Sequence, residues 1–333
     1  VDQERGRFAD ARRRLTEAQS IALESGDRIL QIRAGFELGT LCGDFEGDLD
    51  SALDELRRAV ALAEELEERE LRVEGHLRTG AVLVNGGELA QAEEHLQHSI
   101  ALAEQLGSHR DQARATFMLG AVRYYRAGVE EAERLALQAR DWLARTCEST
   151  YQIQNLRQLA LYALVRGEPG QAEAWLREAL ATALELGGWQ VIDAYRYLVE
   201  ALVAQDRLED ARQLAEFAGR NVSGEDLYVR ATVLLAEASV AAAEGNRQGA
   251  IGRFREALQL LEEERSPLVR AEARIDFARA LRRFGDREAA RDELAEARAT
   301  FDRMGASGIV GQIDGELDEL TSRAGVTGPT RGR

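Results

Sequence analysis

The chain has 333 residues, a formal net charge of −16 and 43 basic side chains, every one of them arginine. Without lysine it carries neither a phosphate-binding loop of the Gly-x4-Gly-Lys type nor Schiff-base chemistry, and its acidic balance opposes a phosphate backbone, so no direct nucleic acid contact is expected. No apolar run of roughly 18 residues occurs and the opening Val1-Asp2-Gln3-Glu4 does not read as a signal peptide, so no membrane contact is expected and the chain reads as cytoplasmic.

One pattern then repeats along the chain: an alanine, a bulky or apolar residue at plus four and a small residue at plus seven. The alanines are Ala11, Ala52, Ala92, Ala132, Ala172, Ala211, Ala250 and Ala290, separated by 41, 40, 40, 40, 39, 39 and 40 residues. A fixed period of this size is the mark of a stacked repeat array, in which each unit contacts only its neighbours. Each alanine opens a second helix, B. In most units a small residue twelve positions earlier marks a first helix, A. Small residues at fixed spacing let two antiparallel helices pack closely.

The first element, Gly6 to about Ser25, carries Phe8, Ala11, Leu15, Ala18 and Ala22 and reads as a B helix with no A helix before it. This half-repeat suggests a fragment cut from a longer array, whose N-terminal helix is expected either to be frayed or to be covered by another copy of the chain in a homodimer. The third unit pairs Gly80 with Gly87-Glu-Leu-Ala-Gln-Ala92, Leu96 and Ser99, and the fourth pairs Gly120 with Ala132. The fifth pairs Ala160 with Gly167-Glu-Pro-Gly-Gln-Ala172, Pro169 lying in the turn. The sixth is the least regular, with Val199 at the small position, Asp206 for the turn glycine and Ala215 for the bulky residue. The seventh pairs Ala238 with Ala250. In the eighth, Ser266-Pro267 reads as a helix start, Ala278 is the small residue, and Gly285 leads to Ala290, Leu294 and Ala297. A short capping helix is expected at 309–320, closing a single domain over 1–320, with a flexible tail at 321–333.

The spacing small-x11-Ala-x3-apolar-x2-Ala resembles the tetratricopeptide family from about Gly6 to Met304. That family usually repeats every 34 residues with a closing proline, whereas this period is about 40 and lacks the proline, which predicts longer helices or joints. The forty-residue variant is similar to the sensor arrays of bacterial signalling ATPases and of LuxR-type regulators of the maltose-activator kind. The resemblance implies an all-α, right-handed superhelical solenoid of about eight antiparallel helix pairs. It also implies a non-catalytic sensor or scaffold module of a bacterial regulatory protein, binding a peptide, small effector or partner protein. A purely structural interaction scaffold is the alternative.

Nine of the ten Trp and Tyr residues fall between Tyr124 and Tyr197, namely Tyr124, Tyr125, Trp142, Tyr151, Tyr162, Trp175, Trp189, Tyr195 and Tyr197. Such side chains serve ligand sites and bulky cores alike. In the family resembled, A helices line the concave groove at positions six and three before the small residue and one and four after it. Carried over, these are Arg114, Phe117, Ala121 and Tyr124 in the fourth unit, Gln154, Arg157, Leu161 and Leu164 in the fifth, and Asp193, Arg196, Glu200 and Val203 in the sixth. Arg114, Phe117, Tyr124, Gln154, Arg157, Asp193, Arg196 and Glu200 are therefore the candidate groove. Arg157 and Arg196 are expected beside Tyr124, free to bind an acidic ligand and replaceable without loss of the fold.

Elsewhere the chemistry is sparse. His95 and His98 share a helix face, but His76 and His109 read as isolated, so neither metal nor cofactor is expected. Cys42 and Cys147 lie in different units and read as free thiols. The glutamate runs Glu64-Glu65, Glu67-Glu68 and Glu262-Glu263-Glu264 read as solvated helix faces, and no catalytic motif is present.

Overall fold

The computed structural model describes residues 8–45, 47–146, 148–186, 191–221, 226–263 and 266–322. Among them are sixteen α-helices and no strand. In order these are α1 Phe8–Ser25, α2 Arg28–Thr40, α3 Leu49–Glu65, α4 Arg69–Asn85, α5 Leu89–Leu106, α6 His109–Arg126, α7 Val129–Arg145 and α8 Ser149–Val165. There follow α9 Pro169–Leu186, α10 Val191–Ala204, α11 Leu208–Asn221, α12 Leu227–Ala243, α13 Arg247–Glu263, α14 Pro267–Arg283, α15 Arg287–Arg303 and α16 Ser307–Ser322. A π-helical turn, Leu41–Phe45, extends α2. Even numbers from α2 to α14 are the A helices and odd numbers the B helices, so the repeat register predicted from the alanines holds throughout.

Local chemistry sets the joints. Asp27, Asp48, Ser108, Asp226 and Asp286 each accept a hydrogen bond from a backbone N–H in the first turn of the helix that follows, satisfying a donor the helix cannot. The A-to-B turns need one left-handed residue. Glycine supplies it in most units, as at Gly87 with φ +82° and Gly167 with φ +76°. In the sixth unit Asp206 takes the same conformation at φ 60°, a tolerated role for Asp.

Within a hairpin the small residue faces the bulky B-helix residue. A Cβ built on Gly80 would lie 2.7 Å from Leu96 Cγ, and one on Gly39 would lie 2.6 Å from Leu56 Cγ. The repeat alanines Ala52, Ala92, Ala132, Ala172, Ala211, Ala250 and Ala290 are all fully buried beside them, within the apolar clusters that follow one another along the array.

Successive A helices also touch one another (α4 with α6, α6 with α8, α10 with α12, α12 with α14). They therefore run along the inside of the curve. After five repeats the curve closes, because α16 packs on α6. The capping helix expected to cover only the eighth unit thus also meets the fourth. At that seam Ser307 Oγ donates to the Arg126 carbonyl at 2.8 Å, and a Cβ on Gly308 would lie 2.9 Å from the Gly128 nitrogen and 3.0 Å from the Tyr125 carbonyl oxygen.

Candidate functional site

Closure turns the inner faces of α6, α8, α10, α12, α14 and α16 toward one another, and along the inner faces of the A helices as a whole polar side chains gather in two tiers. The first is built by α2, α4, α6 and α8. Arg78 donates from Nη2 to Glu37 at 2.8 Å and from Nε to Glu74 at 2.6 Å. Arg114 donates to the other Glu74 oxygen at 3.0 Å and to the Tyr151 hydroxyl at 2.8 Å, its guanidinium also lying over the Tyr151 ring. Burial works to raise the Glu74 carboxyl, but Arg114 and Arg78 outweigh it and hold the group below its usual range. Phe117 is buried beneath this tier, edge-on to Tyr151.

The second tier lies nearer the seam. Arg157 of α8 pairs with Asp193 of α10 at 3.5 Å, and Asp193 accepts from the Tyr228 hydroxyl of α12 at 2.7 Å. Arg196, only 4% exposed, donates to Glu200 at 3.2 Å and across the interior to Asp276 of α14 at 2.7 Å. The Tyr125 hydroxyl of α6 donates to Glu272 of α14 at 2.6 Å. Arg279 lies 3.8 Å from Asp276 and 2.8 Å from Glu316 of α16. The rings of Tyr124 and Tyr162 stand 5.4 Å apart beside this network.

The second tier is not charge-balanced. Asp193, Glu200, Glu272, Asp276 and Glu316 are five carboxylates, and Arg157, Arg196 and Arg279 are three guanidiniums, leaving a formal excess of two negative charges. The titration of the inner acids reflects this. Burial pushes Glu200 above the usual carboxylate range, helped by Asp276 and only partly opposed by Arg196. Glu272 is pushed up as well, first by burial and then by Asp276, despite the Tyr125 hydrogen bond and the arginines.

The predicted groove residues therefore separate into two places. Tyr124, Arg157, Asp193, Arg196 and Glu200 belong to the second tier, while Arg114 and Phe117 belong to the first; Arg114 stands ten residues before Tyr124 on α6, about 15 Å along the helix. Gln154 is half-buried on α8. Contrary to the sequence expectation, the two arginines are not free: Arg196 already has two carboxylate partners and Arg157 has one. The candidate groove ended at the sixth unit and did not include Glu272 and Arg279. They occupy the same register, six before and one after Ala278. Asp276, Tyr125 and Tyr228 fall outside it.

The aromatic enrichment divides too. Tyr124, Tyr125, Tyr151, Tyr162 and Tyr197 serve the interior or its walls, whereas Tyr195 packs against Phe217 within a hairpin. Trp142 faces outward, stacked on His109 at 4.2 Å, so His109 is not isolated. Trp189 and Cys147 lie outside the described residues. His76 is not isolated either: its Nδ1 lies 3.0 Å from His95 Nδ1, and its ring centroid is 5.4 Å from that of His98. Burial and the two neighbouring imidazoles, with Arg72, push His76 down to about 4. Among the described residues no group of three or more ligating side chains is set to hold a metal. Cys42 is a buried thiol that accepts from Arg12 at 3.3 Å.

No protein-family model and no characterised protein sequence matches the chain. Solved structures do. The chain is similar to a Rap protein complexed with competence and sporulation factor, at 15% identity and TM-score 0.66, covering 86% of this chain and 77% of that one. It is similar to the Rap conjugation gene regulator of the plasmid pLS20 in complex with the Phr* peptide, at 14% identity and TM-score 0.68, covering 92% and 79%. Apo RapI is also similar, at 14% identity and TM-score 0.64, covering 82% of this chain and 99% of that one. These likenesses establish the tetratricopeptide-like helical array as the fold.

Proposed function

We propose that the chain is a non-catalytic sensor module of a regulatory protein, and that its closed interior binds a peptide or small effector presenting a cationic group to the second tier. The observation that carries this reading is the charge excess: five carboxylates and three guanidiniums converge along the inner faces of α8, α10, α14 and α16. An ammonium or guanidinium entering there gains charge-assisted hydrogen bonds in a low-dielectric setting. The acidic ligand expected from Arg157 and Arg196 meets the opposite field, because those arginines are already engaged. Two of the similar folds carry a bound factor or peptide, competence and sporulation factor in one and the Phr* peptide in the other, which supports a peptide as the occupant.

The test is a thermal-shift screen of the full chain against short peptides in matched arginine-containing, neutral and glutamate-containing sets. Ligands that bind only the folded state raise the melting temperature by mass action. Stabilisation by arginine-containing peptides alone, lost in Glu272→Gln, is the expected result; preference for the glutamate set would overturn it.

A structural scaffold without a groove ligand is the second reading, favoured by the bonds Arg196 to Asp276 and Tyr228 to Asp193, which already engage these charged groups within the protein. It predicts no response to any peptide set. Pairing of two copies through α1 belongs to that reading, since Ile21 and Leu23 there are 53% and 64% exposed. Light scattering of wild type and an Ile21→Ser, Leu23→Ser variant tests it: a dimer that dissociates in the variant is expected, and a monomeric wild type rejects the pairing.

A further inference from the structure

Tyr125 takes part in two structures at once. Its hydroxyl donates to Glu272 in the interior at 2.6 Å, while its ring stacks on Phe301 of α15, with centroids 6.1 Å apart and planes at 22°. Its backbone carbonyl lies directly against Gly308 at the start of α16. The same seam holds Ser307 on the Arg126 carbonyl and Met304 against Gly87. Residue 308 has no room for a side chain there, so close backbone contact is part of the seam, beside the buried apolar cluster that holds Tyr125, Phe301 and Ile309.

The geometry points to a latch: occupancy of Glu272 and closure of the α6–α16 seam are coupled through Tyr125, so that capture of Glu272 by a ligand cation releases Tyr125, and α16 becomes the segment that reports it. This rests on the interior being the binding site. The physical reason is that a cation drawing the Glu272 carboxylate toward itself takes the acceptor from the buried Tyr125 hydroxyl, which is costly, and a tilt of the Tyr125 ring to follow it disturbs the Phe301 stack and the backbone against Gly308. Coupling of this kind is reciprocal. Opening the seam withdraws Tyr125 from Glu272 and leaves the carboxylate ready for a cation.

Amide hydrogen exchange in the ligand-free full chain tests the latch separately from ligand binding. In Glu272→Ala the amides of residues 307–313 are expected to exchange faster by on the order of tenfold, the factor a lost hydrogen bond to a charged group carries. In a Tyr125→Phe background, which keeps the ring and removes the hydroxyl, Glu272→Ala adds nothing further. Gly308→Ala, which pushes directly on the seam, accelerates the same amides in either background, while residues 169–183 of α9 keep their wild-type rates. The latch is overturned if Glu272→Ala leaves 307–313 unchanged while Gly308→Ala speeds them, if its effect persists in full in the Tyr125→Phe background, or if α9 accelerates equally.

Discussion

Arg196 and Asp276 lie 80 residues apart in sequence and meet across the interior at 2.7 Å, which joins the sixth repeat to the eighth without passing through the seventh. A stacked array ordinarily transmits load only between neighbours. This pair ties two A helices whose connecting unit could otherwise flex.

Replacing Arg196 should therefore damage the fold, contrary to the sequence expectation that it is dispensable. Arg196→Met leaves Asp276, Glu200 and Glu272 buried together without their central cation, at a cost of about 3–5 kcal/mol. Urea denaturation checks this. Arg196→Met with Asp276→Leu should recover part of the loss, since an apolar pair avoids the stranded charge; a single variant as stable as wild type refutes the structural role.

The inner acids predict a stability that falls as pH rises. Glu200 and Glu272 are pushed above the usual carboxylate range in the folded state, so the folded chain holds protons there that the unfolded chain releases from its ordinary carboxyl value of 4.5 upward. Stability is then lost as pH climbs from that value through the raised one. Glu200→Gln should flatten this limb and raise the melting temperature at pH 8, where wild type carries the full penalty.

The histidine cluster predicts the opposite slope at lower pH. His76 is pushed from 6.5 down to about 4, so the unfolded chain binds a proton in that window which the folded chain refuses. Stability falls as pH drops from 6.5 to about 4, by roughly 2 kcal/mol for this partly buried group. His76→Gln should remove that limb, as measured by melting temperature between pH 4 and 7, and leave the alkaline side untouched.

Two glycines should respond to alanine with opposite signs. Gly80→Ala places a Cβ 2.7 Å from Leu96 Cγ in a filled hairpin and should cost about 1–3 kcal/mol through overpacking. Gly252 in α13 has nothing within 4 Å of a built Cβ, so Gly252→Ala should stabilise by about 0.5–1 kcal/mol through helix propensity and a less flexible unfolded chain. Chemical denaturation of both variants decides the comparison.

Nearly all of the fold was legible in the spacing of Ala11 through Ala290, because a repeat that packs on its neighbour must place the same small residue at the same step each time. Much of the candidate site was legible through the family resembled, whose groove positions, counted from Gly120, Ala160 and Val199, yielded Tyr124, Arg157, Asp193, Arg196 and Glu200. Glu272 and Arg279 needed only the same register two units further, in the eighth unit. Tyr125, Asp276 and Tyr228 were not legible, because their contacts arise where the curve returns on itself. The rotation between adjacent repeats sets that return, and it accumulates from many side-chain volumes rather than from any one motif. His76 was hidden differently. It meets His95 and His98 only when α4 folds back on α5, so a search for ligands close together in sequence passes over it.

Closure also fixes a number. An open helical array tolerates the gain or loss of a unit by duplication or deletion, since the ends simply move. Between α6 and α16 that freedom is gone: one repeat more or fewer would carry Gly308 away from the Tyr125 carbonyl and leave Arg196 facing a different helix. The fourth to eighth units are thus a counted set, able to change in sequence but not in tally, while the units before α6 remain free to vary in both.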